Sequence, residues 1–255
     1  MAEGPLPPIV VHLVIAKKAA AHLRHPVVDH HLGSYLLGSS APDMRIITGA
    51  SREELHFLGL DCQPGESGVD GLLEAQPRLR REAGPAPATQ AFIAGYFSHL
   101  VTDEIWIVDI YRPFFGKTSP LGDDPMAAIL DRMLQFELDR RERANREHMH
   151  QMQAELLHAE EGVDAGFIEP GLLKQWREFV TLATGREANG ERFRIFAQRF
   201  LIPAQKVDEE QVERLLANLP EALEGVIKLV TPERLDAFRS KAIEATVEVA
   251  RGYLN

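Results

Sequence analysis

The chain has 255 residues, enough for one large domain or for one domain plus an extension, and its 45% apolar content can build a sizeable core. Its 28 basic and 38 acidic residues leave a formal net charge of -10. Such a surface repels phosphate backbones and argues against general nucleic-acid binding, although a bound divalent cation would reverse the field locally. A single cysteine, Cys62, excludes an internal disulfide and fits a reducing compartment. No apolar run approaches the roughly 18 residues that span a membrane. The short run over 9–16 is followed rather than preceded by lysines, the wrong order for a secretory signal, so a cytoplasmic location is expected.

Apolar residues at helical spacing predict a first helix over 10–23, with His12 in its first turns. Pro26 separates it from a second helix over 28–39. The small-residue stretch Gly38-Ser39-Ser40-Ala41-Pro42-Asp43 should end that helix and let backbones approach closely. Residues 44–88 are the least regular part, with one short helical piece over 72–81 between two Gly/Pro clusters. The segment over 89–110 is apolar almost all round and reads as a helix buried in the middle of the domain. After a loop over 113–125, a long charged helix over 126–160 carries one apolar stripe. Further helical runs are 171–184, 191–201, 208–219 and 231–254, with Asp208 and Thr231 at helix starts. With no period-2 strand and no repeat, the fold class is all-α, a multi-helix bundle. Residues 1–160 are expected to form a metal-site helical core, and 161–255 a C-terminal helical extension packing on the same domain.

His99 and Asp103 carry the first chemical signal. At i and i+4 they share one face of an otherwise apolar helix. A buried carboxylate costs several kcal/mol unless it is paired or binds a metal. The two residues therefore read either as metal ligands or as a hydrogen-bonded structural pair. Asp43 in a tight turn, His56 between apolar neighbours and His12 near the start of the first helix add candidate ligands. Together they supply three His and two Asp, a donor set suited to zinc.

In order, the motifs are His12-Leu13, then Leu36-Leu37-Gly38-Ser39-Ser40-Ala41-Pro42-Asp43, then His56, then Gly95-Tyr96-Phe97-Ser98-His99-Leu100-Val101-Thr102-Asp103. This succession, over roughly residues 9–115, resembles the zinc-dependent phospholipase C family. The resemblance implies an all-helical fold and hydrolysis of phosphodiester bonds, typically at phospholipid head groups, by clustered zinc. The family's architecture is also similar to that of single-strand-specific zinc nucleases. Carried over, Asp43, His56, His99 and Asp103 hold one zinc, and Asp103 bridges to a second that is bound by His12. Asp43 and Asp103 are then the catalytic carboxylates, with Asp43 able to accept a proton from water. The pattern departs from the family in two places. Eleven residues precede His12, where the secreted enzymes use a processed N-terminal residue as a ligand. The downstream His-x-x-x-Glu is also missing: His148 is followed by Met152, His150 by Ala154 and His158 by Gly162. One or two zinc ions are therefore expected rather than three, with Asp139 a further candidate ligand.

Arg112 and Lys117 are candidate phosphate contacts, and Tyr111 a contact for the apolar part of a substrate; the alternative is solvated cations and a core aromatic. The expected partner is a phosphodiester small molecule or a phospholipid head group. Two rival functions stay open, a non-catalytic metal-stabilised scaffold with the charged helix as an interaction surface, and a zinc-dependent nuclease.

Overall fold

A computed structural model describes residues 7–63, 65–205 and 209–255, and among them every regular element is helical. Helix α1 (Ile9–Leu23) follows Pro8 and stops where Arg24 turns left-handed. His31 interrupts the expected second helix, giving α2 (Pro26–His30) and α3 (Leu32–Gly38). A tight 3-10 turn (Ala41–Met44) leads into α4 (Arg45–Thr48), then α5 (Arg52–His56). A reciprocal cap starts α5: the Ser51 hydroxyl accepts from the Glu54 N–H, and the Ser51 N–H donates to the Glu54 carboxylate. The short helix α6 (Gly68–Ala75) ends sooner than the sequence suggests, and two 3-10 turns replace its second half.

Helix α7 (Pro87–Trp106) is the axis of the molecule. Pro87 supplies a first-turn φ at no hydrogen-bond cost, and no charged residue appears until Asp103. Sixteen of its 20 residues are buried. It packs between α3 on one side and the C-terminal helix on the other, with α1 also in contact. The approach of α3 is set by two glycines. A Cβ at Gly95 would lie 1.9 Å from the Tyr35 carbonyl oxygen, and one at Gly38 would lie 2.0 Å from that of Phe92. No other residue fits either position without separating the helices. Regular geometry ends at Trp106, where a π turn (Ile107–Tyr111) leads into α8 (Arg112–Phe114).

The charged segment expected as one helix is two, α9 (Met126–Arg143) and α10 (Arg146–Glu155). Asn145 causes the break, because its side chain accepts from the His148 N–H and starts a new helix. Then come α11 (Pro170–Gly185), α12 (Gly190–Phe196) running into a second π turn (Ala197–Leu201), α13 (Ile202–Gln205), α14 (Glu209–Ala217), α15 (Leu219–Val230) and α16 (Pro232–Leu254). The expected start at Asp208 lies outside the described residues. Helix α15 fills the stretch between the expected runs 208–219 and 231–254, with Pro220 in its first turn, where proline is well suited.

Two apolar clusters hold these elements together, and each draws on residues before and after position 160. One gathers Leu13, Leu36, Phe92 and Tyr96 with Trp176 and Tyr253. The other gathers Trp106, Ile129 and Met133 with Val226 and Phe238. Burying side chains of this size contributes roughly 1.5–3 kcal/mol each. Helix α16 is stitched along α7 by edge-on rings at Phe97–Tyr253 and Trp106–Phe238, each with centroids 5.1 Å apart. No helix among the described residues is long and apolar enough to cross a membrane.

Candidate metal centre

Four short stretches of chain bring five side chains to one buried point. His12 comes from the first turns of α1, Asp43 from the 3-10 turn after α3, and His56 from the last position of α5. His99 and Asp103 lie one turn apart on α7. His12, His56, His99 and Asp103 are at most 1% exposed, and Asp43 is 7% exposed. The glycine-mediated contact of α3 with α7 is what lets the turn carrying Asp43 reach His99.

The spacing of the donor atoms is informative. His56 Nε2 and His99 Nε2 are 3.2 Å apart. Asp103 Oδ2 lies 3.3 Å from His56 Nε2 and 3.6 Å from His99 Nε2. Asp43 Oδ1 lies 3.8 Å and 3.9 Å from the same two nitrogens. Metal–ligand bonds of 2.0–2.2 Å in a tetrahedral site put neighbouring donors about 3.4 Å apart. These five edges bracket that figure, and most exceed the 2.7–3.2 Å of a direct N–H···O bond. The other Asp103 oxygen, Oδ1, faces His12 Nε2 at 3.3 Å. The residues form two overlapping triads able to hold metal, His12–Asp43–His99 and His56–His99–Asp103, each with its donor atoms within 4.8 Å of one another.

Hydrogen bonding selects the matching protonation state. His99 Nδ1 is 2.9 Å from the Ser39 carbonyl oxygen. It must donate there, which leaves the Nε2 lone pair turned to the cluster, the arrangement typical of a metal-binding imidazole. The His12 ring stacks on His99 with centroids 3.8 Å apart. Burial lowers the pKa of His99 well below the usual imidazole range and that of His56 to about 4, so both rings are neutral at pH 7. Burial would raise Asp103, but the imidazoles and the Arg52 guanidinium around it prevail and hold its carboxyl well below the usual range. Both nitrogens of His12, Nδ1 of His56 and Oδ1 of Asp103 are buried with no hydrogen-bond partner. Each such atom costs about 1–3 kcal/mol unless something else satisfies it. Buried imidazole nitrogens, several of them unpaired, beside the ionised Asp103 carboxylate fit a divalent cation.

Arg52 was not singled out in the sequence. Its Nη2 donates to Asp103 Oδ2 at 3.0 Å, and its side chain is 10% exposed. The Ser51–Glu54 cap starts α5 at Arg52 and so places Arg52 and His56 at i and i+4 on one face; that signal was present in the sequence. Arg45, two residues beyond Asp43, is half-buried beside the cluster. Asp43 and Arg45 also line a cleft of about 400 Å³ walled by Phe136, Phe179, Phe193 and Phe196.

Asp139 faces this cleft with its carboxylate bonded to Arg143 on the same helix. The other expected contacts sit elsewhere. Arg112 donates to the carbonyl oxygens of Leu60 and Cys62, at 3.0 and 2.6 Å, and so ties down the loop after α5. Tyr111 packs half-buried against the second apolar cluster, and Lys117 is exposed. His150 and His158 are exposed on their charged stretch. The chain has no significant match among protein-family models, curated proteins or solved structures.

Proposed function

We propose that this chain is a zinc-dependent phosphoric-diester hydrolase, phospholipase C-like, with His12, Asp43, His56, His99 and Asp103 as its ligands for one or two zinc ions. The observation that carries the reading is the convergence of three imidazoles and two carboxylates at the spacing of a coordination shell, with one of them, Asp43, lining a cleft. The ordered resemblance of the surrounding motifs to the zinc-dependent phospholipase C family supports it. Zinc bound there supplies Lewis acidity, lowering the pKa of a water to about 7 and polarising a phosphoryl oxygen. Asp103 presents one oxygen to His12 and the other to His56 and His99, the posture of a bridging carboxylate. Asp43, the most exposed of the five, is placed to take a proton from water entering by the cleft. In this reading Arg112 holds a loop, and Arg45 is the cation facing the substrate. The substrate class is a small phosphodiester or a phospholipid head group; the net charge of -10 disfavours nucleic acid.

The test is elemental analysis of protein purified without added metal, beside assays on bis(p-nitrophenyl) phosphate, a short-chain phosphatidylcholine and single-stranded DNA. At least one zinc per chain with diester hydrolysis, both lost in His99→Ala, is expected. Zinc without hydrolysis of any of the three would favour a metal-stabilised scaffold. One observation speaks for that second reading: four of the five candidate ligands are at most 1% exposed, the closed setting in which structural zinc sites are built. Digestion of single-stranded DNA alone would favour the nuclease.

A further inference from the structure

The cluster accounts for the imidazoles and carboxylates but leaves two guanidinium groups unexplained. Arg52 spends one N–H on Asp103, while its Nε and Nη1 are buried without an acceptor. Arg45 Nε is buried without an acceptor too. Arg52 bonds the cluster through Asp103, and Arg45 lines the cleft beside Asp43, so both stand at the edge of the cluster. Guanidinium N–H groups out of water without acceptors are costly, more so than neutral donors. A protein that needed only to neutralise Asp103 would not require the second arginine.

Several other charged groups of the cleft are engaged with their neighbours, Arg132 by donating to Gln135 Oε1 at 2.8 Å. Asp139 is bonded to Arg143 and Glu187 to Arg146. Arg143 donates further to the carbonyl oxygens of Ala183 and Arg186, which spends it on joining α9 to the end of α11. With Asp43 assigned to the metal, Arg45 is left as a cation at the inner end of a phenylalanine-walled cleft. That cleft is within the 300–1,000 Å³ range of small-molecule sites.

We propose that Arg45 and Arg52 bind a tetrahedral oxyanion at the edge of the cluster, and that the phenylalanine-walled cleft takes an apolar group esterified to it, so that the preferred ligand is a phosphoric ester with an aryl or acyl substituent. The inference rests on the metal-site reading and adds to it the two arginines and the selectivity of the cleft. A guanidinium suits the task because its planar fork pairs two N–H groups with two phosphoryl oxygens, which an ammonium cannot do.

The test is calorimetric titration of the zinc-loaded and the chelator-treated full chain with inorganic phosphate, phenyl phosphate and dihexanoyl phosphatidate. The proposal expects phenyl phosphate or the phosphatidate to bind at least tenfold tighter than inorganic phosphate, and whichever binds tighter identifies the aryl or the acyl source. Arg45→Gln and Arg52→Lys should each weaken phosphate binding at least tenfold while zinc content stays at the wild-type level. Phe136→Ala should remove the preference for the substituted ester and leave inorganic phosphate binding unchanged. Arg52→Gln strips Asp103 of its partner and can unfold the chain, so Arg45→Gln and Arg52→Lys decide, with thermal melts as the folding control. Unchanged phosphate affinity in both variants, or no preference for the substituted esters, overturns the proposal. Zinc binding without arginine-dependent phosphate binding sinks the proposal and spares the metal site. Arginine-dependent phosphate binding by a chain that takes up no zinc does the reverse.

Discussion

Neutral His56 is the form that this interior selects, since burial lowers its pKa to about 4 against about 6.5 in an unfolded chain. Between those values the unfolded chain binds a proton that the folded one refuses. Stability contributed by the neutral ring is therefore complete above about pH 6.5 and is lost as the pH falls toward 4. Chelator-treated protein should show a melting temperature that drops over this window, and His56→Gln should flatten the drop. Equal slopes in the two proteins would show that His56 is not held neutral. Asp131 behaves with the opposite sign. Burial raises its carboxyl to about 7, and Oδ1 has no partner although Gln135 donates to Oδ2 at 2.7 Å. A raised carboxyl stabilises the fold below its unfolded pKa, near 4, and that contribution is lost as the pH rises through 7. Asp131→Asn should therefore stabilise the protein at pH 8, on the order of 1–3 kcal/mol, with little effect at pH 4. A denaturant titration at the two pH values measures this, and an equal effect at both would remove ionisation as the cause.

At the scale of elements, the close crossing of α3 and α7 does two jobs. It lets the Ser39 carbonyl reach His99, and it brings the Asp43 turn over the same ring. Gly95→Ala puts a methyl group against the Tyr35 carbonyl, so the helices must part at a cost of about 1–3 kcal/mol. Because Ser39 moves with α3, zinc affinity should fall by roughly 10–100-fold, the usual cost of losing the group that orients a metal-binding imidazole. Competition against a chromogenic chelator reads this separately from the melt. A destabilised variant with wild-type zinc affinity would detach the crossing from the site.

Gly38 was legible in the sequence as part of a small-residue, turn-forming run, and His99 with Asp103 as a helical pair. Both signals are local. The features that the sequence does not reveal depend on a competing local rule or on tertiary contact. Helix α15 opens on Pro220 with no side-chain cap to announce it, Asn145 caps a helix that the charge pattern runs straight through, and Arg112 is drawn to two loop carbonyls that no periodicity reveals. Arg52 was hidden for another reason. An arginine in a charged run reads as solvated, and only the arrival of Asp103 from α7 buries it.

Across the whole molecule, the five cluster residues tie together segments that are distant in sequence: α1, the turn before α4, α5 and α7. An unfolded chain cannot present that donor set at one point, so zinc binds the native state in preference and stabilises it by mass action. Free zinc at a hundred times its dissociation constant contributes about 2.7 kcal/mol. For a chain of this size each kcal/mol moves the melting temperature by about 2–4 °C. Chelation should therefore lower the wild-type melting temperature by about 5–10 °C, and zinc should restore it. Asp103→Asn should melt at one temperature whether or not chelator or zinc is present, since it removes the carboxylate that lies within 3.3–3.6 Å of all three imidazoles. The same comparison separates a bound cation from a hydrogen-bonded polar core. In a core held by hydrogen bonds alone, Asp103→Asn would still destabilise the fold, but the wild-type melt would be indifferent to chelator and to zinc. That indifference, seen in protein shown to be folded, would remove the metal from every step built on it.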